Sequence, residues 1–216
     1  MKVLAVNGSP RKAWNTATLL NEALRGAAAN GAETELIHLY DLNFKGCTSC
    51  FSCKRKNSDN YGRCGYIDEL TPVLNRIPEV DALILGSPIY IATITGEMKC
   101  FLERLIFPYL VYDKARSSLL SKKLPVATIY TAGAPEEGLK LMGVDKQINQ
   151  IQGILERIIG PTESLLASDT YQFDDYSKYV NSFDVEAKTQ RRNEVFPVDR
   201  KKAFEMGARL VNKKRS

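Results

Sequence analysis

The chain has 216 residues, 44% hydrophobic and 25% charged, a balance that excludes a mostly disordered polymer and allows one substantial buried core across residues 1–216. Its net charge of +5 is scattered, and the densest cationic run, Lys213-Lys214-Arg215, suits the end of a C-terminal helix, so no nucleic-acid partner is expected. No apolar run reaches membrane-spanning length and no basic leader precedes the first apolar run, so a cytoplasmic protein with no membrane association is expected.

Lys2 to Val6 reads as a buried-type strand, followed by the polar stretch NGSPRKAWNT over residues 7–16. From Thr16 the apolar set Leu19, Leu20, Ala23, Leu24 and Ala27 marks one face of a helix that Gly31 can close. Thr34 to Tyr40 is a second strand, and Leu70, Val73, Leu74 and Ile77 give another helical face, with Pro72 in its first turn. Val80 to Leu85 is a third strand; GSPIYIATITG follows, then a helix carrying Met98, Phe101, Leu102, Leu105 and Ile106. Leu124 to Tyr130 is a fourth strand, TAGAPEEG a loop, and Ile148, Ile151, Leu155 and Ile158 a helix face. Pro161 to Ala167 is a fifth strand, and a last helix runs from Asp199 to Asn212. Between them, residues 168–198 turn polar and aromatic without periodicity, an excursion that covers a site, meets a second subunit, or is plain surface.

Strands and helices alternate, several strands are apolar on both faces, and the connections are long enough for crossovers. The pattern specifies an α/β fold with a parallel sheet and helices on both sides. Ligands of such sheets bind beyond the carboxyl ends of the strands, where three loops gather: NGSPRKAWNT, GSPIYIATITG and TAGAPEEG. Ser9, Asn15 and Thr16 offer polar donors beside the unpaired amides of a helix start, a place for a phosphate. The alternative is that Asn15 or Thr16 merely caps the helix. Neither the dinucleotide spacing G-x-G-x-x-G nor the nucleotide-hydrolase loop is present, which leaves a mononucleotide. Ser87-Pro88-Ile89-Tyr90 then supplies a fixed turn and an apolar surface for a flat heteroaromatic ring, unless Tyr90 is an ordinary packing residue.

GSPRK-x-x-NT, GSPIY-x-x-x-x-TGEMKCFLERL and the intervening GCTSCFSC resemble the flavodoxin-like NAD(P)H-dependent FMN reductases, particularly the branch that includes iron–sulfur flavoproteins. The resemblance covers about residues 1–135. It implies a flavodoxin-like three-layer sandwich with a five-stranded parallel sheet of order 2-1-3-4-5, noncovalent FMN, NAD(P)H as electron donor, and a homodimer or homotetramer. By position it places Ser9, Arg11, Asn15, Thr16, Ala17 and Thr18 around the FMN phosphate, Ser87, Pro88, Ile89 and Tyr90 against the ring, and Thr131, Ala132 and Gly133 on its other side. Trp14 receives no role. The chemistry then belongs to flavin N5 and no catalytic side chain is required. The single histidine, His38, reads as a surface strand residue.

Four of the five cysteines lie within residues 47–64, in a Cys-rich loop of about residues 45–66. Cys47, Cys50 and Cys53 form C-x-x-C-x-x-C, with Cys64 after a ten-residue gap, longer than in the iron–sulfur flavoproteins. The set is compatible with a [4Fe-4S] cluster, with zinc, or with free thiols, and Lys54, Arg55 and Lys56 would favour thiolates. Cys100 reads as a small core residue. The expected activity is transfer of electrons from NAD(P)H to a flavin, quinone, or other small-molecule or protein acceptor, with or without a cluster as relay. An FMN carrier without turnover and a zinc-stabilised binding module are the alternatives.

Overall fold

A computed structural model describes residues 1–115 and 117–212; the cationic run at 213–215 lies outside them. Strands β1 (Lys2–Asn7), β2 (Glu33–His38), β3 (Ala82–Tyr90), β5 (Val126–Thr131) and β6 (Thr162–Ala167) form a parallel sheet in the order β2-β1-β3-β5-β6. Setting aside β4 (Thr93–Ile94), a two-residue strand antiparallel to β3, this is the expected order 2-1-3-4-5.

The central strands β1, β3 and β5 are buried on both sides because alternate residues serve two cores. Leu4 and Val6 of β1, Leu83 and Leu85 of β3, and Val126 and Tyr130 of β5 pack with α2 (Thr71–Arg76), α3 (Gly96–Tyr109) and α5 (Val144–Ile158). Val3, Ala5, Ala82, Ile84, Ala127 and Ile129 pack on the other side, under α1 (Asn15–Ala29) and α7 (Phe196–Asn212). Those two helices meet almost backbone to backbone: a Cβ on Gly207 would stand 1.8 Å from the Ala23 carbonyl oxygen.

Apart from shifts of one to three residues at element ends, three features differ from the sequence reading. The third strand runs on through Ser87-Pro88-Ile89-Tyr90 and turns at Ile91 and Ala92, both with positive φ, so GSPIYIATITG is mostly a hairpin. The loop TAGAPEEG ends earlier than expected, at the short helix α4 (Glu136–Leu141). The polar excursion contains a helix, α6 (Val185–Glu194), that its charge-rich sequence conceals.

Candidate functional site

The ends of β1, β3 and β5 and the start of α1 surround a cavity of about 600 Å³. Its walls include Ser9, Arg11, Asn15 and Thr16 from the first loop, Pro88, Ile89 and Tyr90 from the hairpin, and Thr131, Ala132 and Gly133 from the end of β5. The three loops therefore face one space. Of the remaining expected residues, Ala17, Thr18 and Ser87 are absent from the lining. Ala17 is wholly buried, and the Thr18 N–H already donates to Trp14 O at 2.8 Å within the helix. Ser87 acts behind the wall: its hydroxyl accepts from Thr95 N–H at 3.0 Å, and the Thr95 hydroxyl donates to Gly8 O at 2.7 Å, tying the hairpin to the first loop.

The start of α1 is open. Its N-cap is Trp14, with no side-chain cap, so Asn15 and Thr16 are not the caps considered from sequence. The first-turn amides, at the positive end of the helix dipole, precede the first intrahelical bond. Thr16 Oγ1 lies 2.7 Å from Thr131 Oγ1, linking the first loop to the third. Arg11 is the only charged side chain in the lining among the described residues, and no carboxylate or imidazole joins it. A phosphate monoester suits this end, while Pro88, Ile89 and Tyr90 offer a flat ring an apolar wall.

Covering a site is one of the readings the polar excursion allowed from sequence, but none of its residues was assigned to the cavity. Thr170, Tyr171, Gln172, Phe173, Tyr179 and Phe183 complete the cavity, so part of the excursion covers the site within the same chain. Trp14 has a definite place here: its indole N–H donates to Tyr171 O at 3.0 Å and its ring lies 3.8 Å from the Arg11 guanidinium. Asn15 Nδ2 donates to the same Tyr171 carbonyl at 2.7 Å, and Arg11 donates to Gln172 O at 2.6 Å. Behind the cover, Lys188 of α6 is buried and bonds the Asp169 carboxylate and the Gly133 carbonyl. Arg192 of α6 donates to Asn15 Oδ1 at 2.9 Å. A Trp in a polar loop was the available signal, without a sequence clue to its partner.

His38 is a strand residue, as expected, but not a surface one. It ends β2 opposite Asn7, is partly buried, and puts Nδ1 2.9 Å from the Asn7 amide nitrogen.

Cys47, Cys50, Cys53 and Cys64 border a second, small pocket with Phe51, Glu103, Arg104 and Phe107. Shared walls do not make a coordination site: among the described residues no three His, Cys, Asp or Glu side chains converge to hold one metal ion. Cys47 and Cys50 are exposed, Cys53 is buried, and Cys64 Sγ accepts from Arg104 Nε at 3.3 Å. Burial pushes the Cys53 thiol up despite neighbouring Lys54, overriding the thiolate preference expected from the basic run. Lys54 itself is turned away, donating to the Pro108 and Leu110 carbonyls where α3 ends. Cys100, expected in the core, is only partly buried.

Among the described residues no helix is long and apolar enough to cross a membrane. An iron-sulfur flavoprotein of Methanocaldococcus jannaschii is 38% identical over 104 residues, 48% of this chain and 51% of that protein. One of Archaeoglobus fulgidus is 33% identical over 138 residues, 63% of this chain and 58% of its own. The alignments thus span little more than half of these curated relatives. The NAD(P)H:quinone oxidoreductase structure from Methanothermobacter marburgensis superposes with a TM-score of 0.72 over 97% of this chain and 98% of its own, at 17% identity. An azoreductase from Bacillus anthracis gives 0.67 over 97% and 99%, at 13% identity. These two likenesses establish the fold. The family-wide sequence pattern matches over residues 1–167, and with it the chain belongs to the NADPH-dependent FMN reductase family.

Proposed function

We propose that the chain is an FMN-dependent oxidoreductase that takes electrons from NAD(P)H and passes them to a flavin, quinone or similar acceptor. The observation that carries this reading is the convergence of the three strand-end loops on one cavity, with an uncapped helix start at one end and an apolar wall beside it. When bound, FMN supplies hydride acceptance at its N5 atom. The protein's share is binding and orientation. The first-turn amides of α1, with Ser9 and Thr16, would hold the phosphate, and Arg11 would add a positive charge. Pro88, Ile89, Tyr90, Ala132 and Gly133 would fix the ring, and the aromatic cover of Phe173, Tyr179 and Phe183 would limit water. The charge-poor lining supplies no acid–base pair, consistent with chemistry that resides in the cofactor.

The names of the relatives support a cluster at Cys47, Cys50, Cys53 and Cys64. The unconverged thiols do not fit one as they stand, so no electron step is drawn through them. Anaerobic purification with FMN, iron, sulfide and zinc analysis tests both parts. One FMN per chain, reduced on anaerobic addition of NADPH or NADH, is the expected result. A flavin-free protein holding zinc overturns the reading, and bound FMN that neither nicotinamide reduces makes the chain a carrier. A dimer or tetramer in solution is also expected, and sedimentation measures it.

A further inference from the structure

One buried amide is among the groups that hold the phosphate loop. Asn7, fully buried at the end of β1, accepts from Ser9 N–H through Oδ1 at 3.0 Å, and Ser9 Oγ in turn accepts from Arg11 N–H at 3.2 Å. The Ser9 N–H can only donate, so the Asn7 atom facing it is the oxygen. Its nitrogen then faces His38 Nδ1 at 2.9 Å. An amide nitrogen can only donate as well, so His38 Nδ1 must present a lone pair. The imidazole is therefore neutral, with its proton on Nε2. A second proton would set N–H against N–H at this contact. Rotating the Asn7 amide would relieve His38 but turn the amide nitrogen toward Ser9 N–H, breaking one of the bonds that hold the loop.

We propose that His38 is a positioning residue that acts through Asn7 to hold the FMN phosphate loop, so that FMN binding and protonation of His38 oppose one another. The inference rests on the FMN reading above. The charged groups facing the imidazole are Asp41, from the turn after β2, and Lys12, from the phosphate loop, and these two are paired with each other. Burial lowers the His38 pKa, Asp41 opposes that and Lys12 reinforces it. The coupling is reciprocal: a proton that loosens the loop weakens FMN, and FMN must lower the proton affinity of His38 by the same factor.

His38 is the only histidine in the chain, so its titration can be followed by NMR in the untagged wild-type protein. Loss of one buried hydrogen bond gives an expected factor of about five. The His38 proton affinity should fall by about that factor on saturation with FMN, and FMN should bind correspondingly more weakly at pH 5 than at pH 8. The FMN phosphate also titrates in this range, so the control is His38→Asn, which keeps an acceptor near the Nδ1 position but does not titrate. It should retain tight binding and lose the His38 share of the pH dependence, whereas His38→Leu should bind about fivefold more weakly even at pH 8. Identical His38 titration with and without FMN, or the same decline in His38→Asn as in wild type, overturns the proposal. A chain that takes up no FMN at pH 8 overturns the cofactor reading and this inference together, and is distinguished by the missing flavin.

Discussion

The strand-end loops and the cysteine segment are both spacing motifs in the sequence, yet they form very different structures. In the first, residues far apart in the chain meet at short distances: Thr16 with Thr131, Thr95 with the Gly8 carbonyl, and Trp14 and Asn15 with the Tyr171 carbonyl. In the second, four thiols border one pocket without converging. The difference lies in the scaffold. Parallel strands in fixed register must deliver their C-terminal loops to one edge, whereas residues 47–64 contain only a single 3-10 turn and owe their position to side-chain anchors from α3.

Removing the main anchor is the most forceful way to break that comparison. Arg104 is fully buried, bonds Cys64 Sγ, Lys45 O and Tyr66 O, and pairs with the Asp68 carboxylate. Replacing it by Leu leaves Asp68 without its counter-charge, and a loss of about 3–5 kcal/mol is expected in urea unfolding. A loss near zero would mean that the cysteine segment is held some other way.

The cavity should respond through its ligand. Asn15→Ala with Thr16→Ala removes two buried polar groups from the mouth of α1 and is expected to weaken FMN by about 2 kcal/mol, roughly thirtyfold in Kd by fluorescence titration. Unchanged affinity would remove the phosphate from this helix start.

The same contrast explains what was legible in the sequence. Both faces of β1, β3 and β5 were apolar, and together with the strand–helix alternation and the long connections this specified a doubly covered parallel sheet. The loop ends followed from it, which is why Ser9, Asn15, Thr16, Pro88 and Tyr90 could be assigned to one edge, whereas Arg11 and Gly133 came only with the family resemblance. The hairpin at Ile91-Ala92 was hidden because neither residue type favours positive φ, so no turn signal marked it. Helix α6 was hidden because its stabilising contacts are not an apolar stripe but buried Lys188 and the Arg191–Asp199 pair. The role of His38 was hidden because a bond to Asn7 needs the register of β2 against β1, which periodicity does not give.

Thiol reactivity sharpens the comparison from the other side. Cys47 and Cys50 are exposed and Cys53 is buried with its pKa raised, so iodoacetamide should modify the first two at least about tenfold faster near neutral pH. The attacking species is the thiolate, so Cys53 labelling should keep rising with pH above the range where an ordinary thiol has already levelled off. Mass spectrometry of the anaerobic protein reads each site. Equal rates at Cys47, Cys50 and Cys53 would show that the segment opens faster than it reacts, and slow labelling of all four thiols in iron-containing protein would mark a bound cluster.

The smallest expected effect concerns the cover. Trp14→Phe keeps an aromatic face beneath Arg11 but removes the indole N–H donated to Tyr171 O. That carbonyl retains the Asn15 amide as a second donor, so the cover should loosen without detaching. One hydrogen bond of about 1 kcal/mol predicts roughly fivefold faster proteolytic cleavage within residues 168–183 and a comparable loss in FMN affinity. Faster cleavage with unchanged affinity would separate the cover from the binding site. A loss as large as that of the Asn15 and Thr16 double variant would show instead that the indole holds the phosphate loop in shape, making the cover a consequence of the loop's order.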